Sequence, residues 1–178
     1  MLNSLKKLFS GHYPDTAQKL YESVMTHSLS PALYEHEMAV DTFDGRFEAV
    51  TLFSCLVMRR LREFGSPGEN LAEDLYKRIF RGFDHALREK GTGDSTIARK
   101  IRGYGERFFG LSRAVDAAIS TSAKGTELLK VLERNGVGGQ ALNSFVQHLI
   151  NSEELLTTLD FTSFQSGTIQ WPITGGLD

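Results

Sequence analysis

A single cysteine, Cys55, stands among 178 residues, so no internal disulfide can form and no cysteine-based zinc site can be built within one chain. A reducing compartment is expected. Histidine is scarce as well. His12, His27, His36, His85 and His148 never fall at the i, i+4 spacing that sets two imidazoles on one helical face. No metal centre is expected, and His27 and His36, near Glu35 and Glu37, read as surface or internally satisfied side chains. Asp41 and Asp44 resemble the start of a calcium loop, but the remaining ligands and the closing glutamate are missing.

Long hydrophobic runs are also missing. AVTLFSCLVM, Ala49 to Met58, covers ten residues, half of the ~20 that a membrane span needs. It reads as a buried helix, in which the Cys55 thiol is inert. The opening MLNSLKKLFSGHYPD is interrupted by Lys6 and Lys7 and lacks the form of a secretory signal or transit peptide. The expected location is the cytoplasm of a bacterium. Leu2, Leu5, Leu8 and Phe9 predict a short first helix within residues 1–14, read as a docking element, with contact to a membrane surface as the alternative.

Catalytic patterns are equally absent. There is no GxSxG, no GxxxxGK[ST] and no GxGxxG after a strand. Ser4 and Lys7 satisfy SxxK too loosely to carry weight. Neither a catalytic group nor a cofactor is expected.

What is present is helical periodicity in nearly every segment, which predicts an all-α fold of about six to eight helices in one compact domain over 1–178. Asp15 is expected to cap a helix carrying Ala17, Leu20, Tyr21 and Val24, and Ser30-Pro31 to open a short one through Glu37. Asp41 or Thr42 caps a central helix to about Glu63 that is apolar on both faces, with Phe47, Val50, Val57 and Leu61 on one and Leu52, Phe53 and Leu56 on the other. The loop signal Gly65-Ser66-Pro67-Gly68 leads to a helix from about Glu69 to Lys90. Ile97, Ile101, Tyr104, Phe108, Leu111, Val115 and Ile119 then mark the cleanest helix, although it contains Gly103, Gly105 and Gly110. Two helices follow, about Thr126 to Asn135 and Gly139 to Asn151, and Ser152 with Glu153 and Glu154 opens a last turn or two. Residues 161–178, without charge until Asp178, are expected to lie extended over the core, pinned by Phe164 and Trp171.

GTGDS, between the two longest expected helices, reads as a joint: Gly91 ends one helix and Asp94 or Ser95 caps the next. Net charge is −2 over the chain, yet Lys77 to Arg113 carries +6. Arg78, Arg81 and Arg88 precede the joint, and Arg99, Lys100, Arg102 and Arg107 follow it. Antiparallel neighbours joined this tightly can gather such charges into one basic face. A solvated surface paired locally with Asp84, Glu89 and Glu106 is the alternative. As a binding face it suits acidic lipid headgroups, ribosomal RNA or an acidic protein.

The blocks DTFDGRFEAVTLFSCLVMRRLRE and REKGTGDSTIARKIRGYGERFFG together resemble the ubiquinol-cytochrome c chaperone family, over roughly Tyr21 to Ile119. In the first, Asp41, Thr42, Asp44, Gly45, Arg46 and Phe47 fall on the family's D-T-x-D-G-R-F pattern. In the second, Gly91, Gly93, Asp94, Lys100, Phe108 and Gly110 fall on its glycine-aspartate joint and basic-aromatic helix. Phe109 departs from the tyrosine of the family's F-Y-G, and Ala98 from a frequent proline.

The resemblance implies a non-enzymatic assembly chaperone whose client is newly made cytochrome b or another subunit of the bc1 complex. A small partner protein, the ribosome or the inner face of the cytoplasmic membrane would be its surroundings, and DNA is not an expected partner. Its signature residues Asp41, Asp44, Gly45, Arg46, Phe47, Gly91, Gly93, Asp94, Phe108 and Gly110 are expected to be structural. A helical lipid- or quinone-binding protein, with a pocket between the central helix and the glycine-containing one, is the competing reading, and a ribosome-associated adaptor a third.

Overall fold

The computed structural model describes residues 13–91 and 93–174. The expected amino-terminal helix and the last four residues lie outside them. The described elements are α1 (Pro14–Ser28), α2 (Pro31–Glu35), α3 (Phe43–Arg62), α4 (Ser66–Glu89), α5 (Asp94–Ile119), α6 (Lys124–Asn135), α7 (Leu142–Thr158) and α8 (Phe161–Ser166), with no strand among the described residues.

Helix α3 is the axis of the fold, and α1, α4, α5 and α7 pack around it. Its start is fixed by Thr42, whose Oγ1 accepts the Gly45 N–H at 3.0 Å. From Ala49 to Met58 every residue is buried. The two polar groups in that run are satisfied locally: Thr51 and Ser54 donate to the carbonyls of Phe47 and Val50 at 2.8 and 2.6 Å. Burial pushes the Cys55 thiol up to about 12, so it stays protonated and inert as expected. Arg59 near the other end reaches Asp116 of α5 at 2.9 Å and Glu153 of α7 at 3.7 Å, and Lys124 of α6 meets Glu153 at 3.1 Å. That ionic knot locks the carboxyl-terminal end of the axis to three neighbours.

Several expected boundaries move, each for a local reason. Helix α1 starts at Pro14, not after an Asp15 cap. Proline suits the first turn, and the Tyr13 N–H finds its acceptor across the fold, on Asp74 of α4 at 2.7 Å. Helix α2 stops at Glu35, two residues early, and Glu37 adopts a left-handed φ of 54°. Helix α4 begins at Ser66 inside the expected loop. Gly65 turns the chain with φ 66°, and a Cβ on Gly68 would strike the Leu61 carbonyl. At GTGDS the chain does turn on Gly91 (φ 72°), but the residue capping α5 is Gly93, and Asp94 instead pairs with Arg88 at 2.6 Å.

Helix α7 runs unbroken through Ser152, because that hydroxyl donates to the His148 carbonyl at 2.8 Å without interrupting the helix. The carboxyl-terminal stretch opens with α8 before it becomes irregular. Asp160 accepts the Ser163 N–H at 2.7 Å and so nucleates a helix where an extended chain is expected. Phe164 is fully buried and Trp171 half-buried against α1, as the pinned segment requires.

Candidate functional site

The two signature blocks meet in space. Asp44, in the first turn of α3, accepts the Tyr104 hydroxyl at 2.9 Å and Arg107 at 3.3 Å, and Arg107 also pairs with Glu48. The Phe47 and Tyr104 rings lie 4.4 Å apart, and Phe108 is buried. Burial and the Asp44 hydrogen bond together push the Tyr104 phenol up to about 12. Burial likewise raises the Glu48 carboxyl even though Arg107 opposes the shift. Gly45 is obligatory at this place, since a Cβ would collide with the Val40 carbonyl. Asp41 turns outward to Arg46 at 2.7 Å.

Beside this brace lies an open cleft of about 540 Å³ between α1, the start of α3 and the end of α4. Met25, Leu29, Phe43, Phe47, Val50 and Phe83 give it an apolar lining. Its rim is ionic: the Asp41–Arg46 pair stands on one side, and Lys90, held 4.4 Å from the Phe43 ring centre, stands on another with Glu89. Gly82 lets α1 come close, because a side chain there would run into Tyr21. This is not the pocket expected between α3 and the glycine-containing α5. Between those two helices only a small pocket of about 120 Å³ remains, beside Glu48, Arg107 and Leu111, because Phe47, Tyr104 and the Arg107 pairs fill most of the crossing.

The seven basic residues expected on one face fall into three settings. Arg88 is tied to Asp84 and Asp94 at 2.7 and 2.6 Å, and Arg107 to Asp44 and Glu48. Arg78 and Arg81 line a groove beside Pro14 and Ala17 of α1. That places Arg78 opposite Tyr76 and Phe80, whose rings meet Phe108 on α5, since two positions along a helix are about 200° around it. Arg99, Lys100 and Arg102 remain, exposed on α5 and in no ion pair among the described residues. Two of the seven, Arg78 and Arg81, thus lie toward α1, and two, Arg88 and Arg107, are engaged by carboxylates.

Two residues the sequence did not connect form a buried pair. His27 of α1 and His148 of α7 face each other with their Nε2 atoms 3.0 Å apart. Trp171 stacks on His27 at 4.5 Å and donates its indole N–H to Ser23 at 3.1 Å. Burial holds both imidazoles below their ordinary value, His27 at about 3, so the pair is neutral at physiological pH. His36 is exposed, as a surface side chain. No group of three or more metal-ligating side chains exists among the described residues, and no described helix is long and apolar enough to cross a membrane.

No curated protein matches the chain. The crystal structure of the Cbp3 homolog from Brucella abortus superposes on it with a TM-score of 0.82, covering 100% of both chains at 20% identity, a likeness of fold. The family model described as ubiquinol-cytochrome C chaperone matches residues 36–171, a span that holds both signature blocks, the brace between them and most of the cleft. By that match, this chain belongs to the ubiquinol-cytochrome C chaperone family.

Proposed function

We propose that this protein is a non-enzymatic, single-domain assembly chaperone that binds newly made cytochrome b at the inner face of the cytoplasmic membrane and hands it to the bc1 complex. The observation that carries this reading beyond family membership is the cleft between α1, α3 and α4. A folded chain ordinarily buries such a surface, and an apolar groove left open beside a polar rim suits a guest segment.

A hydrophobic segment of the client would lie against Met25, Leu29, Phe43 and Phe83, sheltered from water until it is passed on. Met25 can adjust to different side chains, because an unbranched thioether repacks easily. The ionic rim keeps the cleft soluble when empty and limits how deeply a guest can settle. Nothing in this action requires a bond to be made or broken.

The competing reading, expected to use a pocket between α3 and α5, would instead find room for a lipid or quinone tail in this cleft, whose volume lies within the usual range for small-molecule sites. The two separate experimentally. Deleting the gene and recording the spectrum of membrane cytochromes should show loss of the cytochrome b signal. Restoration by the wild-type chain, but not by Ala86→Trp, would place the cleft in that action. A normal spectrum after deletion would remove the chaperone reading, and an apolar ligand carried through purification and found by mass spectrometry would favour the competitor.

A further inference from the structure

The outward side of α5 carries a pattern that the fold itself does not use. Arg99, Gly103, Glu106, Gly110 and Arg113 step by 4, 3, 4 and 3 residues, which aligns them along one stripe of the helix. Arg102 and Phe109, seven residues apart, run beside it. Arg99, Lys100, Arg102 and Arg113 are exposed and form no ion pair among the described residues, and Glu106 is the only acid between Asp94 and Asp116.

Phe109 is 50% exposed, where nearly every other large apolar side chain is covered. It is held in place, with its ring 5.3 Å from Tyr76 and 5.9 Å from Phe108.

The glycines sharpen the pattern. Outside α5, the chain's own contacts or backbone explain the described glycines: Gly45, Gly68, Gly82 and Gly139 have neighbours that a Cβ would strike, a Cβ on Gly125 would crowd Ile150, Gly65, Gly91, Gly136, Gly138 and Gly167 have positive φ, and Gly93 is the N-cap of α5. Within α5, a Cβ on Gly105 would make only an ordinary contact with the Phe80 ring, at 3.9 Å, and Gly103 and Gly110 meet neither condition. They sit inside a regular helix with nothing within 4 Å of a Cβ. Glycine in a helix interior is destabilising, so the reason for two of them on one bare stripe lies outside the chain.

We propose that this stripe of α5 is a docking site for an acidic helix of a partner protein, laid along Gly103 and Gly110, anchored on Phe109 and paired through its carboxylates with Arg99, Arg102 and Arg113. Anionic lipid or RNA would be drawn to the same cations, but neither gains from exposed backbone at the two glycines. A helix does, because small residues let two helix axes approach closely. Phe109 supplies the apolar centre that a protein interface uses. None of the cleft lining comes from α5, so this site stands apart from the client reading.

The test uses the full chain and three labelled probes: a synthetic helix of Ala, Leu and Glu with its glutamates flanking an alanine stripe, phosphatidylglycerol vesicles, and polyuridylate. The wild type should bind the helix, and Arg99→Glu with Arg102→Glu should weaken that binding about tenfold or more. Gly103→Gln with Gly110→Gln should weaken it similarly while raising the unfolding midpoint by roughly 2–4 °C. The same glutamine variant should leave vesicle and RNA association unchanged. The proposal fails if the acidic helix does not bind, if the glutamine variant binds it as the wild type does, or if only vesicles or RNA bind.

Discussion

Helix α1 presents two opposite sides, and the chain treats them differently. On one, Ser23 and His27 are covered by the chain's own carboxyl-terminal strap: Ile169 N–H and Trp171 Nε1–H both donate to the Ser23 hydroxyl, and the Trp171 ring lies flat on His27. On the other, Tyr21, Met25 and Leu29 look into an open cleft. The strapped side is aromatic and hydrogen-bonded, and the groove of about 490 Å³ that remains there is lined in part by the strap itself, from Gly167 to Trp171. The open side is bounded by helix faces and an ionic rim, a surface that waits for something else. Stability should therefore depend on the first, and activity on the second.

The sharpest way to break this contrast is to uncover the closed side. Trp171→Ala removes the stack on His27 and one bond to Ser23, and should cost about 3 kcal/mol, read as a fall in the denaturation midpoint. Acid attacks the same place more gradually. Both histidines are held below 6.5 in the folded chain, so the unfolded chain takes up protons that the native one refuses. Stability contributed by the pair should be complete above pH 6.5 and fall as pH drops toward 3, and His27→Gln with His148→Gln should flatten that slope in denaturant titrations. A slope unchanged in the variant would take the pair out of the acid response.

At the cleft the expected energies are smaller. Thr42→Ala removes the cap at the rim and should cost about 1 kcal/mol. Ala86→Trp, which fills the cleft from α4, should change stability by less than ~1 kcal/mol while abolishing restoration of membrane cytochrome b in the deletion strain. If Trp171→Ala instead impaired client handling without loss of stability, the two sides would have exchanged roles.

Much of the fold is legible in the sequence because its helices bury broad apolar faces. The run from Ala49 to Met58 has no polar side, so it must be central, and it is. The family signature is legible too, as two short blocks. What joins them is not, since the Asp44–Tyr104 bond spans 60 residues and depends on how α3 and α5 cross. The same limit hid the His27–His148 pair, 121 residues apart, and the place of Arg78 beside α1. Local chemistry moved the remaining boundaries: Gly93 rather than Asp94 caps α5, because Arg88 engages that carboxylate.

The cleft was the least legible feature. It belongs to no motif, and residues from three helices line it only after packing. Phe47 appeared as a core residue and as a signature residue before it appeared as part of a binding surface.

The brace of Asp44, Tyr104 and Arg107 has a consequence for how relatives diverge. None of the three reaches the cleft, whereas Tyr21, Met25 and Leu29, which lie outside both signature blocks, do. A relative can therefore keep the whole brace, and with it the family's recognisable sequence, while exchanging the residues on α1 that meet a guest. Selectivity would then drift along one helix while the architecture stays still, and relatives with identical signatures would differ in what they carry.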